Sequence, residues 1–196
     1  MSVEESGYER LGEGDEAPDF SLPGVDGETY SLEDFSDYGA LLVVFTCNHC
    51  PYAKAKIPVL NSLSDDFENL AVLGINPNDS DDYPEDSFET MVEKVDNREI
   101  RYDAYLRDRN QDVAKRYGAV CTPDPFLFRW KNSSWVLAYH GRLDDALKPE
   151  DEPQVHHMRE AVESVMEGEP VERDFLPSRG CSIKWKPGNE PDYFRG

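Results

Sequence analysis

Leu41-Leu42-Val43-Val44-Phe45-Thr46-Cys47-Asn48-His49-Cys50-Pro51-Tyr52 decides how this chain is read. Its first five residues form an unbroken apolar, β-rich run, the pattern of a strand covered on both faces. A Cys-x-x-Cys pair follows at once. Beyond it, residues 51–67 carry Ile57, Leu60, Leu63 and Phe67 on one helical face. Pro51 sits where a first-turn proline is tolerated, whereas Pro58 is expected to bend the helix. A strand that hands over to a helix through Cys47-Asn48-His49-Cys50 places the first sulfur at the helix N-terminus. Unsatisfied N–H groups and the positive dipole end stabilise a thiolate there. Two intervening residues bring the second sulfur within bridging distance, so a mixed disulfide formed on Cys47 can be resolved by Cys50.

Upstream, Asp19-Phe20-Ser21-Leu22 and Thr29-Tyr30-Ser31-Leu32 flank Gly24-Val25-Asp26-Gly27, a hairpin signal. Residues 1–16 are polar and acidic and are expected to be a flexible lead-in. Downstream, Leu70-Ala71-Val72-Leu73-Gly74-Ile75 reads as a second buried strand. An acidic Asn/Asp/Pro loop over 76–85 leads to a helix with Phe88, Met91, Val92 and Val95 at helical spacing. A short strand over 102–106 and a short helix over 110–117 closed by Gly118 come next. Phe126-Leu127-Phe128 and residues 135–139 pair as a hairpin. Val155, Met158, Val162, Val165 and Met166 then stripe a last helix. The expected organisation is a flexible N-terminus over 1–16, one domain over 17–168, and an irregular C-terminal tail over 169–196 packing on it. Alternation followed by a hairpin predicts an α/β domain whose central mixed sheet is flanked by helices.

Composition narrows the function classes. With 41 Asp and Glu against 20 Lys and Arg, the formal charge is −21. So large an excess repels nucleic acid and anionic lipid, and it is read as a solvated, halophile-type acidic surface. The longest apolar run is far below the ~20 residues of a membrane helix. The N-terminus lacks the apolar segment of a signal peptide. A soluble cytoplasmic protein is therefore expected, one that touches neither nucleic acid nor membrane. In a reducing cytosol, four cysteines at 47, 50, 121 and 181 point to redox or metal chemistry, not a disulfide framework. Zinc needs about four ligands. Cys47 and Cys50 supply two, and His156-His157 points to different sides of a helix, so no metal is expected. Cys121 and Cys181 are candidate auxiliary thiols but are read first as small buried filler.

On these residues the chain resembles the thioredoxin superfamily over residues 15–140, nearest to a peroxiredoxin-like, AhpC/TSA-type branch that carries a dithiol. Phe45-Thr46-Cys47-Asn48-His49-Cys50-Pro51-Tyr52 carries most of the likeness. Tyr117-Gly118-Ala119-Val120-Cys121-Thr122-Pro123 and the tail Gly180-Cys181-Ser182-Ile183-Lys184-Trp185-Lys186-Pro187-Gly188 add to it. The resemblance implies a thioredoxin-like fold and a thiol–disulfide oxidoreductase, a redox-active enzyme with an antioxidant role and no organic cofactor. Its partners would be protein or small-molecule disulfides and dithiols, with a thioredoxin-type reductant closing the cycle. His49 matches the histidine of the C-G-H-C motif of disulfide isomerases, where an imidazole stabilises the first thiolate. Thr122-Pro123 matches the cis-proline segment that binds substrate backbone in strand-like fashion.

The likeness is not complete. Typical peroxiredoxins carry Pro-x-x-x-Thr-x-x-Cys and a strand-borne arginine. Aligning their peroxidatic cysteine with Cys50 puts Val43 and Cys47 at the Pro and Thr positions, and no Arg lies between Tyr117 and Phe128. Thioredoxins keep a buried acid on the strand before the dithiol, and residues 41–45 contain none. The alternatives are thus a thiol peroxidase with Cys50 as the peroxidatic cysteine, or a non-catalytic thioredoxin-fold binding module.

Overall fold

A computed structural model describes residues 2–194. The elements are β1 (Val3–Glu5), β2 (Leu22–Pro23), β3 (Thr29–Tyr30), β4 (Ala40–Phe45), α1 (Pro51–Asp66), β5 (Leu70–Asn76), α2 (Phe88–Asp96) and β6 (Ala104–Arg107). They continue with α3 (Asp112–Tyr117), β7 (Cys121–Thr122), β8 (Asp124–Lys131), β9 (Ser134–His140), α4 (His157–Met166) and β10 (Arg179–Ser182). The main sheet runs β6-β5-β4-β8-β9. β4 and β6 pair parallel with β5, while β8 pairs antiparallel with β4 and β9. This is the mixed α/β sheet of the thioredoxin fold.

Every residue of β4 is buried, which is why its sequence does not alternate. Leu41, Val43 and Phe45 point into a core with Leu73, Ile75, Tyr117, Phe126 and Phe128. Leu42 and Val44 point the other way, onto Leu60, Leu63, Met158 and Val162 of α1 and α4. The two layers pin the register, since slipping one residue would exchange the faces. β4 is thereby fixed as the central strand, and Cys47 leaves from its carboxyl end, where α/β sheets place their sites. The antiparallel register sets Phe45 opposite Asp124. The turn just before Asp124, Thr122-Pro123, is therefore carried to the same end of the sheet.

Two segments differ from the sequence expectation. The lead-in over 1–16 contains β1, which pairs with β10, and Leu11 is buried in the core. The tail over 169–196 contains β10, the middle strand of a small sheet ordered β1-β10-β7. Neither shows a strand pattern in sequence, because three- and four-residue strands made by long-range pairing carry too few side chains to reveal a period. No helix among the described residues is long and apolar enough to cross a membrane.

Candidate active site

Cys47, Cys50 and Cys181 lie in one buried cluster with Ala53, flanked by Tyr52. Their exposures are 2%, 0% and 1%, so the mouth of the site is nearly closed. α1 begins at Pro51 with Cys50 as its N-cap, and Lys54 N–H donates to the Cys50 carbonyl at 3.0 Å. Cys47 lies three residues upstream, on the turn between β4 and α1, so the place at the helix N-terminus expected for Cys47 is taken by Cys50.

Both sulfurs of the Cys-x-x-Cys pair touch Thr122, at opposite ends of that residue. Cys47 Sγ is 3.2 Å from the Thr122 hydroxyl, whereas Cys50 Sγ is 3.5 Å from the Thr122 carbonyl oxygen. The Thr122–Pro123 peptide bond is cis. The motif spacing pairs Cys50 with Cys47 and leaves Cys181 as filler. In the structure Cys50 is bridged to Cys181, 131 residues away with Cα atoms 6.2 Å apart, and Cys47 is a free thiol. The cause is β10, whose pairing with β7 sets Cys181 opposite Thr122. Cys121 is also free and buried, and burial pushes its thiol well above the usual range, the behaviour of packed filler.

The edge of β7 that the resemblance reserves for substrate backbone is occupied by β10, with Cys181 opposite Thr122 and Ser182 opposite Cys121.

His49 is the second group at Cys47. Its Nδ1 lies 2.5 Å from Asp86 Oδ2. That hydrogen bond, and next the Cys47 sulfur, raise the imidazole from 6.5 to about 10, so it is a cation at neutral pH. Burial is the largest influence on Asp86 and pushes it up. Hydrogen bonds from His49, Asn78 and the Asn48 backbone together outweigh burial, and the carboxyl stays below its ordinary value. Asn48 N–H donates to Asp86 at 2.5 Å and Asn78 Nδ2 at 2.8 Å. Asn48 is tied further by its amide to the Glu85 carbonyl and by Tyr105 O–H to its own carbonyl oxygen. Asp86 is a buried acid that comes from the short helical turn before α2 and reaches the site through His49.

Tyr83 stacks on His49 with ring centroids 5.1 Å apart, and Lys184 Nζ stands 5.8 Å over the Tyr83 ring. Burial lowers the Lys184 ammonium, while negative charge at Cys47 and Asp86 pulls it back up. Nothing in the sequence alone singles out Asp86, Asn48, Tyr83 or Lys184. Asp86 has no distinguishing signal among neighbouring carboxylates, although Lys184 lies within the tail stretch that carries part of the family resemblance.

Ligand atoms of Cys47, His49 and Asp86 lie within 4.8 Å of one another, close enough to share a metal ion. Three is fewer than the four of a structural zinc site. The Asp86 oxygens are already engaged by Asn48, His49, Asn76 and Asn78. Those hydrogen bonds also orient Asp86 toward the imidazole.

Residues 13–142 match the model of the AhpC/TSA family. This chain belongs to the AhpC/TSA family. An uncharacterized conserved protein from Geobacillus kaustophilus is 38% identical, with TM-score 0.87 over 96% of this chain and 98% of the other. A hypothetical protein from Sinorhizobium meliloti 1021 is 37% identical, with TM-score 0.86 over 95% and 100%. Peroxidoxin BcpB from Mycobacterium tuberculosis, at 17% identity and TM-score 0.58 over 83% and 98%, shares the fold. The comparison with curated proteins gave no match. As an AhpC/TSA protein the chain is a thioredoxin-like redoxin, and its site must be read for which redox reaction it suits.

Proposed function

We propose that this AhpC/TSA protein is a thiol–disulfide oxidoreductase acting on protein or small-molecule disulfides. Cys47 is the attacking sulfur and Cys50 the resolving one. The observation that carries the reading is the contrast in what the two sulfurs face. Cys47 meets a hydroxyl that can donate and an imidazolium held by Asp86, and both favour negative charge on sulfur. Cys50 meets a carbonyl oxygen, which accepts a hydrogen bond from a neutral thiol and repels a thiolate. Attack by Cys47 on a substrate disulfide forms a mixed disulfide and expels one substrate thiolate. Cys50 then attacks the Cys47 sulfur and expels the other. Tyr83 stacks on His49, which contacts the sulfur, and a substrate displaces this pair to make contact. A thioredoxin-type dithiol completes the cycle.

One observation favours a peroxidase instead. A bridge between Cys50 and Cys181 is what a peroxidatic cysteine and a distant resolving cysteine would leave behind. Against it, Cys50 is fully buried beside a carbonyl, and among the described residues no cation or hydroxyl hydrogen-bonds to its sulfur to orient the O–O bond. The deciding comparison is insulin-disulfide reduction against hydrogen peroxide consumption for wild type, Cys47→Ser and Cys50→Ser. The oxidoreductase reading expects Cys47→Ser to lose insulin reduction by about 1,000-fold or more. It expects Cys50→Ser to accumulate a mixed disulfide on Cys47. Peroxide turnover that survives loss of Cys47 but not of Cys50 would establish the peroxidase. Insulin turnover indifferent to both substitutions would leave a binding module.

A further inference from the structure

We propose that Cys181 is a third redox-active sulfur, and that Cys50 exchanges its bridge between Cys47 and Cys181 with Cys47 as the sole entry for electrons. The substrate half of this cycle rests on the reading above, whereas the exchange between the three sulfurs does not.

Three observations support the exchange. First, Thr122 is a common floor. Cys47 Sγ contacts its hydroxyl, Cys50 Sγ lies beside its carbonyl, and Cys181 faces it in the β7–β10 register. Second, β10 is built to approach that floor closely. A Cβ on Gly180 would lie 2.0 Å from the Thr122 carbonyl oxygen, so only glycine lets the strand seat there. The strand is held from both sides, by β1 and by β7, and Lys184 Nζ donates to the Ser182 carbonyl at 2.8 Å. Third, the Cys50–Cys181 bridge has exposures of 0% and 1%. Both sulfurs are shielded from an external thiolate, and Cys47, itself 2% exposed, is the sulfur in contact with His49, a partly exposed side chain at the rim of the cluster.

The balance is that of thiol–disulfide exchange. Once a substrate disulfide has been reduced, Cys47 and Cys50 are bridged. The Cys181 thiolate attacks the Cys50 sulfur, the Cys47–Cys50 bond breaks, and Cys47 leaves as a thiolate. The two electrons lost by the Cys50–Cys181 pair are those gained by the substrate. Cys47 is again a free thiol, and the oxidising equivalent is parked on the buried Cys50–Cys181 bridge, so a second substrate disulfide is reduced only after that bridge has been recharged. Recharging runs backwards: Cys47 attacks Cys50 and frees Cys181. An external dithiol of the thioredoxin class, or dithiothreitol in its place, then reduces Cys47–Cys50 through the Cys47 sulfur. The strand at the substrate edge thus carries the sulfur on which the disulfide is parked.

The test follows the bridge, not the turnover. Folded, oxidised protein is treated with dithiothreitol, quenched by alkylation, and mapped by peptide mass spectrometry. In wild type the Cys50–Cys181 bridge opens. In Cys47→Ser it is expected to open at least about tenfold more slowly, with the difference vanishing in denaturant. Cys181→Ser, oxidised with diamide, is expected to hold a Cys47–Cys50 bridge. Equal opening rates in wild type and Cys47→Ser would overturn the proposal, as would a folded Cys181→Ser protein that forms no Cys47–Cys50 bridge. Should Cys181→Ser fail to fold, the Cys47→Ser rate decides alone. Slow opening in Cys47→Ser without insulin reduction by wild type would sink the substrate reading and keep the relay. Equal opening with intact insulin reduction would do the reverse.

Discussion

Cys47 and Cys50 are three residues apart and share a neighbour, yet their surroundings are opposite in sign. The Cys47 side collects donors and positive charge: the Thr122 hydroxyl, the His49 imidazolium on Asp86, and Lys184 near by. The Cys50 side collects an acceptor, the Thr122 carbonyl, and a covalent partner on β10. A single residue, held by the cis peptide bond it shares with Pro123, presents its two ends to the two sulfurs. The contrast teaches that a symmetric motif acquires direction from what faces it. Cys-x-x-Cys contains nothing that distinguishes attacker from resolver beyond order along the chain.

The contrast can be broken most severely at Thr122 itself. Thr122→Val keeps the shape and the carbonyl but removes the hydroxyl from Cys47. Hydrogen bonds to a charged group contribute about 1.5–3 kcal/mol, so the rate of Cys47 alkylation by iodoacetamide should fall about 10- to 100-fold. Opening of the Cys50–Cys181 bridge in denaturant should not change. An unchanged alkylation rate would mean that the hydroxyl does not set the polarity of the site.

The next lever is His49. Because its pKa is raised to about 10, the imidazolium persists through neutral pH and is lost above it. Insulin reduction should therefore carry a falling basic limb near pH 10. His49→Gln should lack that limb and be about tenfold slower at pH 7, within the range of a positioned proton-carrying group. Folding stability has the matching sign. A histidine raised in the folded state stabilises fully below its unfolded value of 6.5, and that contribution is lost as pH rises through about 10. Asp86, lowered in the folded state, stabilises above its unfolded value of 3.8 and loses that contribution as pH falls through its folded value. The melting-temperature gap between wild type and Asp86→Asn should thus be widest between 3.8 and 6.5 and narrow toward pH 10. A gap independent of pH would show that the pair is not ionised as described.

The smallest expected effect sharpens the comparison at the mouth. Tyr83→Ala removes the ring stacked on His49. An aromatic pair contributes about 0.5–1.5 kcal/mol, so the KM for insulin should drop about two- to tenfold, with little change for a small aromatic disulfide probe. A rise in KM would instead make Tyr83 a substrate contact.

Much of this molecule was legible before any coordinates. The buried run over 41–45, the Cys-x-x-Cys after it and the helix stripe of Ile57, Leu60 and Leu63 are local patterns, each set by neighbours a few residues apart. They sufficed for the sheet, the helices and the position of Cys47, His49 and Cys50. The centre of β8, Phe126 to Phe128, was legible for the same reason, while its full extent over Asp124–Lys131 and the register that delivers Thr122-Pro123 to the site come from the fold.

Other features depended on groups that meet only after folding. Asp86 is one carboxylate among many in an acidic loop, and what singles it out is the convergence of Asn48, Asn76, Asn78 and His49 on its oxygens. Cys181 lies in a stretch with no periodicity, and its pairing with Cys50 follows from the close seating of Gly180 on Thr122. Sequence by itself determined the fold and the chemical kind of the site, because hydrophobic period and motif spacing are short-range. Tertiary structure decided which sulfur faces donors, which acid backs the imidazole and which distant cysteine takes the bridge. Those choices depend on contacts between residues up to 131 positions apart, and no local pattern encodes such contacts.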